Sequence, residues 1–128
     1  MSQETADIID ALVKAGRHLA RRADVAGLGE TTCRHLRTAA REAAVEAARL
    51  AREAGGEVYT RHCALAALDG LLGPATREQV TRELVARRVL VVEGYAEREV
   101  AAALEALVVR GYARRGGPAE APMYEAVR

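Results

Sequence analysis

Seven arginines, Arg77, Arg82, Arg87, Arg88, Arg98, Arg114 and Arg115, carry the chemistry most readily available to this chain. A guanidinium stays charged at any working pH and offers a planar fork of N–H donors, which suits phosphate or carboxylate oxygens. The other residue types able to do chemistry are poorly placed for it. Cys33, His35, His62 and Cys63 are metal-ligand types. On a helix each residue turns by about 100°, so Cys33 and His35 point to nearly opposite sides. Zinc sites pair their cysteines across gaps of two to four residues, a spacing absent here. The expectation is no metal, with both cysteines serving as small hydrophobes. A Cys33–Cys63 disulfide is the alternative, and would suit chiefly a hyperthermophile. Ser2 is the only serine, and the histidines have no Asp or Glu at helical spacing. No catalytic constellation is legible, so neither enzymatic activity nor a cofactor is expected.

The composition limits what could position these residues. The chain has 128 residues, half of them hydrophobic, which is enough for a core and too much for a disordered chain. It has no Phe or Trp, so the core must come from Leu, Val, Ile and Ala. Alanine has the highest helix propensity and allows close helix contact. Lys14 is the only lysine, and the net charge is +1. A nucleic-acid-binding domain often has a far more basic balance, so any such binding must use a local patch. No apolar run approaches the roughly 20 residues of a membrane span, and no leader pattern precedes the first helix. The expectation is a soluble, cytoplasmic protein.

Ile8, Leu12, Ala15 and Leu19 share a helical face over residues 3–22, widened by Ile9 and Val13. After Gly27-Leu-Gly29, a second helix is expected from Thr31 or Thr32 as N-cap. Its apolar side is Cys33, Leu36, Ala40, Ala43, Ala47, Leu50 and Ala54. Its other side is charged, with Glu46–Arg49 and Arg49–Glu53 at ion-pairing distance along the helix. Gly55-Gly56 closes it. Thr60 is the expected N-cap of a short helix reaching Leu72. Thr76 with Gln79 has capping-box form and opens the next helix. Val89–Val92 could be a strand or a helix extension. A further helix over 97–110 turns Val100, Ala103, Leu104, Leu107 and Val108 inward. Gly111-Tyr-Ala-Arg-Arg, a Gly-Gly-Pro turn and Met123-Tyr-Glu-Ala-Val then make a candidate hairpin with a mobile tip.

Three helices followed by a hairpin form the pattern of a winged helix-turn-helix. Residues 60–128 resemble the C-terminal winged-helix domain of archaeal and eukaryotic origin-recognition initiators. The likeness rests on Arg61-His62-x-x-Leu65, on Thr76-x-x-x-Val80, and on Arg98, Val100, Leu104, Leu107 and Gly111. Residues 33–67 resemble the helical lid of those ATPases or, equally, a histone-like helix pair. The initiators' phosphate loop, Gly-x-x-x-x-Gly-Lys-Ser/Thr, is missing here. The expected fold is therefore mostly α: an N-terminal helical region, 1–56, for packing or dimerisation, and a winged-helix domain, 57–128.

In a DNA-binding winged helix the third helix enters the major groove. Packing Val100, Leu104 and Leu107 inward leaves Arg98, Ala101, Ala102, Glu105 and Val109 outward. Arg98 could then reach a base or a phosphate. Arg114 and Arg115 at the hairpin base, with Arg77, Arg82, Arg87 and Arg88, could clamp the flanking backbones. Glu97, Glu99 and Glu105 would repel phosphate, although a carboxylate can accept a bond from cytosine. The same charges would also serve as plain solvated surface. The sequence thus implies a non-enzymatic binder of double-stranded DNA, acting in transcription, replication or chromosome organisation. A homodimer through the N-terminal helices is expected. The alternative is a winged-helix adaptor that binds another protein.

Overall fold

Leucine and alanine repeating every three or four residues make this chain mostly helical. The computed structural model describes residues 3–87 and 96–127, among which there are five helices and a small three-stranded antiparallel sheet. The chain divides into two compact units, Met1–Gly55 and Gly56–Arg128.

In the first unit α1 (Gln3–Ala23) and α2 (Glu30–Ala54) pack against each other. Acidic Glu4 and Glu30 lie in their first turns and basic Arg21, Arg22 and Arg52 in their last, which complements both helix dipoles. The buried side of α1 is Ala6, Ile9, Gly16 and Ala23. The expected stripe is therefore rotated: Ile8 is 46% exposed and Ala15 is exposed, while Ile9 is buried. Close approach of two backbones selects the smallest residues, and Gly16 provides it. A Cβ at Gly16 would stand 3.4 Å from Ala40 O and 3.5 Å from Ala43 Cβ. On α2 only Ala47 and Ala51 are buried, with Cys33, Leu36, Ala40, Ala43, Leu50 and Ala54 intermediate. Its N-cap is Gly29, without a side-chain cap, rather than either threonine. The two threonines lie inside the helix because Cys33 N–H already bonds Gly29 O at 3.0 Å. Arg49 pairs with both Glu46 and Glu53, the latter at 2.6 Å.

The second unit runs α3 (Gly56–Leu71), β1 (Ala75–Thr76), α4 (Arg77–Ala86), α5 (Ala96–Val109), β2 (Ala113–Gly116) and β3 (Met123–Ala126). Thr60 is not an N-cap: α3 begins four residues earlier, and the Thr60 hydroxyl donates to Gly56 O at 3.1 Å inside the helix. Hydrophobic Val58 is buried in that extra turn. The capping box of α4 forms as the sequence implies, with Gln79 N–H on Thr76 Oγ1 at 3.2 Å and Thr76 N–H on Gln79 Oε1 at 2.8 Å. Helix α5 ends at Gly111, whose φ of 83° is left-handed. There Tyr112 N–H bonds Leu107 O at 2.9 Å and Gly111 N–H bonds Val108 O at 3.1 Å, the pairing of a glycine-terminated helix.

The strand order is β1-β3-β2, all antiparallel. Ala113 pairs with Ala126 and Arg115 with Tyr124, while β1 adds to the other edge through Ala75 and Tyr124. Leu68, Val80, Leu84, Val100, Leu104 and Leu107 are fully buried. The largest buried side chain is an aromatic after all: Tyr124, at 0% exposure. Arg88 and the Val89–Val92 segment lie outside the described residues.

Candidate functional site

Helices α4 and α5 and the hairpin bring two of the candidates, Arg77 and Arg115, together around Glu105. Val100, Ala103, Leu104 and Leu107 face the core, so Arg98, Ala102, Glu105 and Val109 fall on the opposite stripe. Arg98 is exposed and, among the described residues, makes no ion pair; Val109 is 86% exposed. Two small alanines, Ala101 and Ala102, lie between them and keep the helix surface low.

Glu105 is the centre of the arrangement. Its Oε1 accepts from the Tyr124 hydroxyl at 2.5 Å and from Arg115 Nη1 at 3.0 Å. Arg77 Nη2 stands 3.8 Å from the same oxygen and donates to Tyr124 Oη at 3.2 Å. The Arg77 guanidinium lies 6.0 Å from the centre of the Tyr124 ring, at the limit of a cation–π contact. The Tyr124 hydroxyl above all, then Arg115 and Arg77, holds the Glu105 carboxyl below its ordinary range. Burial, reinforced by Glu105, pushes the Tyr124 phenol up. The Glu105 bond raises the Arg115 guanidinium further, so near neutral pH Glu105 and Arg115 are ionised and the Tyr124 phenol is neutral.

Strand alternation decides the fate of the two hairpin arginines. Arg115 sits opposite Tyr124 and faces α5, whereas Arg114 sits opposite Glu125 on the other face and pairs with it at 2.9 Å. They therefore serve two sides of the hairpin and cannot act as one clamp. Arg87 pairs with Glu83 at 3.0 Å along α4. Arg82 is exposed and, like Arg98, has no ion pair among the described residues. Arg88 lies outside those residues. Of the six described candidates, four are thus engaged with carboxylates of the same unit.

Reasoning along the chain missed the Glu105–Tyr124 connection because its partners are 19 residues apart, and Arg77 lies 47 from Tyr124. The available signal was the alternation Met123-Tyr-Glu-Ala, which puts Tyr124 and Ala126 on one side.

A second feature is a groove of about 660 Å³ between α3 and α5. Tyr59, Thr60, Arg61, Arg98, Ala102 and Ala106 line it, with Glu57 and Glu99 among its charges. Burial, then the neighbouring Arg61 charge, lowers the pKa of His62 on α3. Cys33 and Cys63 are both thiols of intermediate exposure. Among the described residues no three His, Cys, Asp or Glu side chains gather to hold a metal, and no helix is long and apolar enough to cross a membrane. Comparison with protein-family models, with curated proteins and with solved structures gives no match.

Proposed function

We propose that residues 56–127 form a winged helix-turn-helix and that the protein is a non-enzymatic binder of double-stranded DNA. The observation that carries this is the strand order β1-β3-β2. It ties the short strand before α4 to the hairpin after α5, and α5 keeps an open outward stripe beside that hairpin. Such a stripe fits the width of a major groove, with the hairpin against the neighbouring backbone. Arg98 and Arg82, the two candidates without a carboxylate partner among the described residues, are the phosphate contacts, and Ala101 and Ala102 permit close approach to base edges. The role is transcriptional regulation or a replication or chromosome-associated task, carried out by binding alone. Ile8 and Val45, exposed on α1 and α2, suit a homodimer through the N-terminal helices. Sedimentation of the full chain tests that.

One specific observation favours a protein partner instead: Val109 is exposed on the same stripe while Glu105 offsets Arg77 and Arg115. Titrating the protein with mixed-sequence duplex over a salt series separates the two. Each phosphate contact contributes a slope of roughly 0.9 in log affinity against log salt. Arg82→Ala with Arg98→Ala should reduce the slope by about two such contacts. Absence of duplex binding even at low salt would sink the DNA reading and favour the adaptor.

A further inference from the structure

Glu105 sits on the outward stripe of α5, the surface that the DNA reading puts in the major groove. A carboxylate there is usually a liability, since it faces phosphate. Here two guanidiniums, Arg77 and Arg115, stand on it and offset its charge. Among the described residues the bonds to the group all fall on one oxygen: Tyr124, Arg115 and, at longer range, Arg77 meet Oε1. They fix the side chain's orientation and leave Oε2 for a donor from outside. The side chain is 38% exposed, and its neighbours on the stripe, Ala101 and Ala102, are too small to shield it.

We propose that Glu105 reads a base, its Oε2 accepting from the exocyclic amino group of a cytosine in duplex DNA. The proposal rests on the DNA reading above. Only two bases offer N–H donors in the major groove, cytosine through N4 and adenine through N6. Adenine presents its N7 lone pair beside that donor, against which a carboxylate is repelled. Cytosine presents the amino group without an adjacent acceptor on its own edge, and its paired guanine offers O6 and N7 to a guanidinium such as Arg115. The acceptor–donor pair Glu105–Arg115 thus matches the donor–acceptor pattern of a C·G pair. Tyr124 and Arg77 act as positioning residues.

Selection of the full chain on a random duplex pool at low salt, with sequencing of the bound fraction, tests this. The wild type should prefer cytosine at one position, by roughly 5- to 150-fold over other bases. Glu105→Ala should flatten that preference, and Glu105→Gln, whose amide both accepts and donates, should relax it to admit adenine. They should also raise average affinity, because Arg77 and Arg115 lose their carboxylate. A purely structural brace would give the opposite result: lower affinity for every duplex with the same preferred sequence. That outcome overturns the proposal. A test on the unaltered protein guards against misfolded variants: N4-methylcytosine at the preferred position, which keeps its pairing hydrogen to guanine and loses the one facing the groove, should abolish the preference, and its persistence overturns the proposal. Wild-type binding with no base preference overturns it while leaving the DNA reading intact. No duplex binding at all removes both.

Discussion

Tyr124→Phe isolates one hydroxyl at the centre of the site. The ring stays and remains fully buried, so no cavity term enters. What is lost is the donor at 2.5 Å to Glu105 Oε1 and the acceptor for Arg77 Nη2 at 3.2 Å. A hydrogen bond to a charged group contributes about 1.5–3 kcal/mol. Glu105 is 38% exposed and Arg77 41%, so water can replace part of what they lose. Glu105 also keeps Arg115. These discounts put the cost at about 1–2 kcal/mol, in the lower part of that range. For a unit of this size about 1 kcal/mol moves Tm by roughly 4–8 °C. The assay is thermal and urea unfolding of the full chain for wild type, Tyr124→Phe, Glu105→Gln and the double variant. The two single changes should be non-additive by about 0.5–2 kcal/mol, as expected of groups in one network. A cost under about 0.3 kcal/mol with strictly additive effects would refute the network and, with it, the account of how Glu105 is held.

Three further outcomes can be measured. Gly111→Ala places a side chain at a φ of 83° and should destabilise by about 1 kcal/mol, read in urea unfolding. At Gly16 the sign depends on size. Ala fits at ordinary contact distance and gains helix propensity, so Gly16→Ala should stabilise the α1–α2 pair by about 0.5–1 kcal/mol. Gly16→Leu forces the helices apart and should cost about 1–3 kcal/mol, and equal effects from the two would contradict the close seam. Burial, then Arg61, lowers the pKa of His62, so the folded state favours the neutral ring. Its contribution is therefore complete above the ordinary pKa of 6.5 and is lost as pH falls from there through the depressed folded value. Tm should drop between pH 7 and 5, and His62→Gln should lessen the drop; an unchanged pH profile would rule this out.

The helices were legible because their signal is local. Val100, Ala103, Leu104 and Leu107 repeat at helical spacing and are buried together, and Thr76 with Gln79 caps α4 in the manner its spacing implies. Strand β1 was not legible, since the two residues Ala75 and Thr76 carry no period. The face of α1 was misread because counting large aliphatics favours Ile8, Leu12 and Leu19, whereas close packing favours Gly16 and Ala23. Of the site, the outward stripe of α5 could be read from helical geometry. The division between Arg114 and Arg115 needed the strand register, and the grip on Glu105 needed tertiary structure. The sequence shows seven equivalent arginines, and only the fold distinguishes the two without a carboxylate partner among those described.

The chain has no tryptophan or phenylalanine and only four tyrosines. Tyr124 is the one that is fully buried and bonded to a carboxylate among the described residues. Near-ultraviolet dichroism needs an aromatic ring fixed in an asymmetric setting. Tyr124 meets that condition, and its hydroxyl touches the very carboxylate proposed to meet a base. Its phenol, raised by burial, should also ionise above the ordinary tyrosine range in an alkaline absorbance titration. The site therefore carries a built-in chromophore, so the setting of Glu105 in the free protein can be followed optically, without a label and without altering a residue.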